Sequence, residues 1–352
     1  MLGADAAMID IKSMLKSELA EAMKCDGYPA YRAEQVYLWL AKGVTNFEHM
    51  QNVPKDLRRA LDEKCYIANA QTERKLTSMQ DETVKYLFRL NDGEFIESVL
   101  MKYKHGYTIC ISTQVGCKMA CKFCATGKSG FTRNLTPSEM LAQIQTAQLD
   151  GDIRISNVVL MGMGEPLDNY DNVLKFLKLV SSPDNLNIGM RHISLSTCGI
   201  IDKMYNLAKE HLQLTLSVSL HAPNDTIRND LMPINRRFHV NDLLEACKFY
   251  IRQTNRRISF EYAMISGMND DDACAKELAS KLAGMLCHVN LIPVNNIDVE
   301  KNSYKKSSRE RLESFVNILS QKGITATVRR ILGADINASC GQLRGKAKNL
   351  EV

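Results

Sequence analysis

From residue 108 onward, short runs of β-branched and apolar residues alternate with longer segments whose apolar positions return every three or four residues. The short runs are TICISTQV (108–115), NVVLMGM (157–163), HISLSTC (192–198), LTLSVSLH (214–221), RISFEYAMI (257–265) and HVNLIPV (288–294). Between them TPSEMLAQIQTAQ, NVLKFLKLV, VNDLLEACKFYIRQ, DACAKELASKLAGM and SRERLESFVNILSQKG have helical spacing. Near-continuous apolar strands separated by helices predict βα units and a parallel sheet covered by helices. Six units predict an α/β fold, a partial (β/α)6 barrel.

The first 107 residues read differently. IDIKSMLKSELAEAMK, RAEQVYLWLAKG and PKDLRRALDEKC predict three helices, separated by the turn-rich CDGYPAY and TNFEHMQNV. TVKYLFRL and EFIESVLMKY alternate apolar and polar residues around NDG, which predicts a hairpin. The expected organisation is a helical unit at 1–66, a hairpin extension at 67–107 and a core at 108–352.

Composition narrows the class. The chain has 352 residues, 45% apolar and 24% charged, which is ordinary for a soluble globular protein. Charge interrupts the first segment every few positions, unlike a signal peptide, and no stretch reaches the roughly 18 apolar residues of a spanning helix. A cytoplasmic protein without membrane attachment is expected. The net charge of +5 is uneven: residues 1–66 carry 9 Lys or Arg against 10 Asp or Glu, and the remainder carries 36 against 30. Basic groups crowd in MKYKHGY (101–107), NRR (235–237 and 255–257), KKSSRER (305–311) and RGKAK (344–348). Scattered solvated faces and an RNA-binding face both fit, since neutralising phosphates needs many cations on one side. Tyr103 and Tyr107 can stack on bases or serve as packing residues.

Eleven cysteines are too sparse for a disulfide-stapled scaffold of this length and suit buried thiols, metal ligands or catalytic groups. Three of them, Cys117, Cys121 and Cys124, stand in GCKMACKFCATG. A structural zinc ion normally takes four ligands, and no His or Cys pair nearby completes the set. An iron–sulfur cube bound by three thiolates keeps one iron open for a ligand. The cluster follows the first strand run, GMGEP follows the second, STCG the third, SLHAPND ends the fourth and IPVNN the sixth. These are the carboxyl ends of the strands, where sheets of this kind place their sites. In GMGEP, glycines allow a close approach to backbone, and Glu165 is either a partner for an ammonium group or a solvated acid in a turn.

C-x3-C-x2-C with Phe123 directly before the last cysteine resembles the radical S-adenosylmethionine enzymes. The resemblance implies a [4Fe-4S] cluster on Cys117, Cys121 and Cys124, with S-adenosylmethionine on the open iron. GEFIESVLM, VVLMGMGEPL, SLSTCGI, SLHAPNDTIR, MPIN, NLIPVN and DINASCGQL extend the likeness from about residue 95 to 345. Together they are similar to the ribosomal RNA adenine-C2 methyltransferases, dual-specificity enzymes that also methylate transfer RNA. For this sequence the resemblance implies a radical S-adenosylmethionine barrel. Gly164, Glu165, Ser196, Ser219, Leu220, His221 and Asn295 would contact S-adenosylmethionine. Cys340 would become S-methylcysteine, Cys110 would be its partner, and Glu97 aligns with a proton-accepting glutamate.

The chemistry the resemblance implies uses two molecules of S-adenosylmethionine per turnover. One methylates Cys340; the other yields a radical that takes hydrogen from that methyl group, and the resulting carbon adds to C2 of adenine. Loss of the C2 proton, to Glu97 or Cys110, and attack by Cys110 on the Cys340 sulfur release methyladenine and leave a disulfide. The implied partners are 23S rRNA at its peptidyl transferase centre, tRNA beside the anticodon, and a reductant for cluster and disulfide, with the chain acting as a monomer. The alternatives are methylation at C8 of the same rRNA adenine, which confers antibiotic resistance, and a non-catalytic RNA-binding protein with structural zinc. Pro166 after Glu165 resembles the C2 group. The other cysteines are expected to be packing residues.

Overall fold

The computed structural model describes residues 8–294 and 304–343. The chain starts with β1 (Ile9–Asp10), then α1 (Lys16–Cys25), α2 (Ala30–Ala41) and α3 (Lys55–Lys64), and β2 (Cys65–Tyr66) returns to pair in parallel with β1. Expected helix 9–24 therefore begins only at Lys16, because residues 9 and 10 are used for that pairing, Ile11–Ser13 form a single 3-10 turn, and Met14 and Leu15 are extended. Val36, Tyr37, Leu40, Phe47, Met50 and Leu57 close a core separate from the rest.

The chain then forms an antiparallel meander: β3 (Ala70–Thr77), β4 (Val84–Leu90) and β5 (Phe95–Tyr103). The hairpin of β4 and β5 follows the sequence expectation. The apolar pattern does not predict β3, because Glu73, Arg74 and Lys75 interrupt it and Gln71, Glu73, Lys75 and Thr77 face outward; such charges suit an edge strand, where they discourage pairing with other chains. β6 (Gly106–Cys110) pairs antiparallel with β5 and parallel with β9 (Ile155–Leu160). The meander is thus continuous with the barrel sheet.

From β9 the parallel order runs through β10 (Ile193–Thr197), β11 (Thr215–Ser219), β12 (Ile258–Met264), β13 (Cys287–Pro293) and β14 (Ala326–Val328). All six expected strands are present. The seventh, β14, has only three residues, too few to show a period. No pairing joins β14 to β3 among the described residues, so the sheet of ten strands is an open barrel.

The run TICISTQV is split. Its first half is β6, whereas Gln114–Gly116 form β7, which pairs with β8 (Phe131–Asn134) in a separate ribbon. The cysteine motif is the loop of that ribbon. Its neck is pinched at Gly116, where φ is +77° and a Cβ would meet the Gly130 carbonyl oxygen. After the short α4 (Ala125–Lys128), α5 (Pro137–Gly151) begins with Thr136 as a capping residue that accepts from the Glu139 N–H. α5 is buried nearly all round because it lies between the sheet and the N-terminal helices. Gln145 Nε2 donates to the Leu40 and Ala41 carbonyls at 2.9 and 3.0 Å.

The remaining connections carry α6 (Tyr170–Ser181), α7 (Ile201–Lys209), α8 (Asp225–Leu231), α9 (Val240–Thr254), α10 (Asp272–Leu282) and α11 (Arg309–Gln321). α6, α9, α10 and α11 match the predicted segments within about three residues. Their apolar faces and the strands form one continuous core. No described helix is long and apolar enough to cross a membrane.

Candidate active site

The loops at the carboxyl ends of β9 to β13 converge with the cysteine loop on one cleft. Its wall includes Cys117, Cys121, Cys124, Gly164, Glu165, Ser196, Ser219, His221 and Cys340. Nine expected site residues therefore meet in one place. Leu220 is fully buried and does not line the cleft with its side chain. Asn295 lies outside the described residues.

Each wall residue is held by its strand end. Gly162 and Gly164 are required less by a ligand than by the neighbouring backbone. A Cβ at 162 would lie 2.6 Å from the Ile111 carbonyl oxygen, and one at 164, where φ is +100°, 2.6 Å from Gln114 Cβ. That close approach lets Thr113 N–H donate to the Met163 carbonyl at 2.8 Å and locks the cysteine ribbon against the loop after β9. Glu165 is buried. Its two oxygens accept from the Cys198 N–H at 2.7 Å and the Leu167 N–H at 3.0 Å, while its own N–H donates to Gln114 Oε1. Burial raises its pKa, partly offset by those N–H groups. The acid is therefore not a solvated turn residue but a buried acceptor held by backbone N–H groups.

His221 has φ +57°, which is rare for a residue with Cβ. Its N–H and that of Leu220 both donate to the Glu261 carbonyl, its Nδ1 accepts from the Ala263 N–H at 2.9 Å, and its ring meets Phe123 edge to face at 4.7 Å. Burial pushes its pKa down to about 3, so the ring is neutral with its proton on Nε2.

Arg228, which sequence reasoning missed, lies fully buried beneath these strand ends. Its guanidinium donates to the carbonyls of Leu220 and Ser219 at 3.1 Å, of Cys198 at 2.7 Å and to Asn235 Oδ1 at 2.9 Å. It ties β10 to β11. The arginine stands in the quoted SLHAPNDTIR, but nothing in the linear pattern reveals a buried cation.

Cys340 sits on a loop pinned from two sides. On one side the Gly341 and Leu343 carbonyls accept from Ala125 N–H at 2.8 Å and Thr126 Oγ1 at 2.7 Å, directly after the cysteine motif. On the other, Asp335 accepts from Ser78 Oγ and Met79 N–H at 2.7 and 2.9 Å, and Lys85 Nζ donates to the Asn337 carbonyl at 3.1 Å. The turn between β3 and β4 thus fixes a thiol more than 250 residues later. Lys85 is also ion-paired at 2.9 Å with Glu97, and both are almost wholly buried. Glu97 is one of the three expected catalytic residues, and the structure does not bring it to the cleft wall.

Cys110 lies with Cys340 on the wall of a second, adjoining cavity, which also includes Cys124, Met161 and Arg329. Burial pushes the Cys110 thiol up to about 12 and the Cys117 thiol likewise to about 12; Cys121 is raised further, also by burial. Cys198, expected to be a packing residue, is buried in an apolar cluster with Leu231, Met232, Ile265 and Val294. It also borders the cleft.

Comparison with known proteins fits this geometry. Residues 111–279 match the model of the radical SAM superfamily, and residues 9–67 match that of the ribosomal RNA large subunit methyltransferase N-terminal domain. A probable dual-specificity RNA methyltransferase RlmN of Clostridium tetani is 53% identical over 96% of each chain. Its counterpart from Alkaliphilus oremlandii is 51% identical over 96% of this chain and 98% of its own. The chain belongs to the RlmN family of radical SAM RNA methyltransferases. In three dimensions it superposes with a TM-score of 0.91 on a radical SAM methyltransferase from Sphaerobacter thermophilus, 42% identical, covering 97% of this chain and all of that one.

As an RlmN-family enzyme the protein uses a [4Fe-4S] cluster and S-adenosylmethionine, and the donor set fits both. Among the described residues no three His, Cys, Asp or Glu close around a single point as ligands of one ion would. Zinc needs four donors at one centre, whereas a cube gives each thiolate its own iron. The three thiols share a wall with the buried carboxylate of Glu165, which has no ion-pair partner among the described residues and suits an amino-acid ammonium.

Proposed function

We propose that the protein methylates C2 of an adenosine in 23S rRNA and of an adenosine in tRNA, with Cys340 as methyl carrier and Cys110 as the releasing thiol. One observation carries this reading: Cys340 borders both cavities, facing Cys117, Cys121, Cys124 and Glu165 in one and Cys110 in the other. A carrier must meet a donor and an acceptor, and this cysteine alone among the assigned catalytic residues borders both spaces.

In this reading Cys117, Cys121 and Cys124 hold the cluster. Glu165 meets the ammonium of S-adenosylmethionine, while Gly164, Ser196, Ser219, the backbone at Leu220, His221 and Asn295 complete its site. When bound, these groups supply the methyl group, the electron and the hydrogen-abstracting radical that an electron-poor C2 requires. The protein's part is to place sulfur. The Cys340 thiolate is a competent nucleophile toward a sulfonium methyl. Once the methyl-derived carbon joins Cys340 to C2, the adduct must give up one electron, for which the cluster would be the acceptor, and the C2 proton. Cys110 borders that cavity and Glu97 does not, which favours Cys110 over Glu97. The Cys110 thiol gives up its proton and its sulfur attacks the Cys340 sulfur: an S–S bond forms, the C–S bond breaks, and its electron pair passes to the exocyclic carbon on C2, which takes a proton to become methyl. A dithiol reductant restores both thiols. The helical unit at residues 1–66 would extend the contact with RNA, in keeping with the family model matched there.

The reading is tested by trapping. Cys110→Ala incubated with S-adenosylmethionine and an in vitro 23S rRNA transcript should give a nuclease-sensitive, slower band on denaturing gels, and adding Cys340→Ala should remove it. Full turnover by either single variant contradicts the scheme.

A further inference from the structure

The cavity that Cys340 shares with Cys110 adjoins the cleft of the cysteine triad and extends beyond it. Cys124 is the only member of the cysteine triad on its wall, and Glu165 is absent from it. Apolar side chains such as Val99, Met101 and Leu332 line it beside Thr126, Arg329 and Ser339, and Tyr103 and Arg330 also border it. Resting on the function proposed above, we infer that this chamber seats the extruded adenine, with Tyr103 as its stacking platform and Arg330 as the anchor for a neighbouring phosphate.

The residues suit that task in three ways. A flipped base presents two apolar π-faces, which the side chains of Val99, Met101 and Leu332 on this wall can accept. Tyr103 is a large aromatic left 36% exposed at the end of a strand, where burial would otherwise be favoured. Its ring is already oriented: it stacks on His105 at 5.4 Å with planes 16° apart, and its hydroxyl approaches the Met101 sulfur at 3.7 Å. An ordered ring loses little conformational freedom when a base lands on it. Around it lie the exposed Lys104 and Arg330, cations of the kind that meet phosphate oxygens. The chamber also has the right neighbours, since a base inside it lies between the carrier Cys340 and the releasing Cys110.

The experiment uses cluster-reconstituted full-length protein, Tyr103→Ala, Tyr103→Phe and Arg330→Ala. Two readouts are taken: methylation of Cys340 by S-adenosylmethionine without RNA, by peptide mass spectrometry, and kcat and KM on a 23S rRNA transcript. Both positions are exposed, and a thermal melt checks folding. Tyr103→Ala should lower kcat/KM by about 5- to 100-fold, the loss of one base-stacking contact, while Cys340 still gains its methyl group. Tyr103→Phe should stay within threefold of wild type. Arg330→Ala should raise KM and reduce its salt dependence. A Tyr103→Ala enzyme within twofold of wild type overturns the assignment, as does a Tyr103→Phe loss equal to that of Ala, which would make the hydroxyl the functional part. Failure of wild-type Cys340 to be methylated instead overturns the methyl-carrier reading beneath it.

Discussion

Replacing Arg228 by Met should weaken both the fold and the cofactor cleft. Methionine fills most of the volume but donates nothing. The carbonyls of Cys198, Ser219 and Leu220 and the Asn235 amide oxygen would then lose donors at 2.7 to 3.1 Å in a fully buried place. At about 1–3 kcal/mol for each orphaned buried acceptor, the gross loss is roughly 4–12 kcal/mol. Relief from burying a cation, and water entering the gap, bring the expected net loss to about 4 kcal/mol. That is a large share of the 5–15 kcal/mol typical of a folded domain. The damage should be local as well as global, because Ser219 borders the cleft and the N–H of Cys198 holds Glu165. The assay pairs chemical denaturation, followed by circular dichroism, with equilibrium dialysis of S-adenosylmethionine. Affinity should fall more than tenfold for Arg228→Met and less for Arg228→Lys, which restores one donor group. A Met variant within about 1 kcal/mol of wild type, with unchanged affinity, would refute the view that this arginine ties the two strand ends.

Two further outcomes follow from groups with defined partners. His221 has a folded pKa of about 3 against about 6.5 when unfolded. The folded protein therefore refuses a proton that the unfolded chain accepts below pH 6.5. Stability from this site is full above pH 6.5 and falls by up to about 1.4 kcal/mol per pH unit as pH drops toward 3. His221→Asn, which tolerates positive φ and can still accept from the Ala263 N–H, should flatten the difference in acid unfolding curves between pH 6.5 and 5. Asp335→Ala removes the acceptors for Ser78 Oγ and Met79 N–H. It should accelerate hydrogen exchange in the peptide containing Cys340 and slow methylation of that cysteine several-fold, with binding of S-adenosylmethionine unchanged.

Sequence pattern located most of the barrel because buried parallel strands leave contiguous apolar runs, and it placed five motifs at strand ends. It could not see that TICISTQV is divided between two sheets, because a bend costs no change in hydrophobicity. β3 and β14 escaped for related reasons: one is a charged edge, the other too short. Side-chain identity marked the three motif cysteines and Glu165. Their surroundings were not legible, since the buried state of Glu165, the left-handed backbone of His221 and the covered charge of Arg228 depend on groups distant in the chain. Cys340 is the clearest case. Its position across from the motif depends on Ala125, Thr126, Ser78 and Lys85, and no local spacing encodes those contacts. Glu97 illustrates the reverse. Its alignment in the strand is legible, but its burial against Lys85 appears only when β4 and β5 are paired.

In the proposed reaction the Cys340 sulfur, which borders both cavities, passes a carbon to C2 of adenine. The most direct test of this transfer is nucleoside mass spectrometry of 23S rRNA and tRNA transcripts treated with reconstituted protein and S-adenosylmethionine carrying a deuterated methyl group, against standards for each methyladenosine isomer. The expected product is 2-methyladenosine bearing two deuterium atoms, since one is lost by abstraction and replaced by a proton when the Cys340 bond breaks. Retention of all three deuterium atoms, methylation at C8, or unmodified RNA beside intact cluster would contradict it.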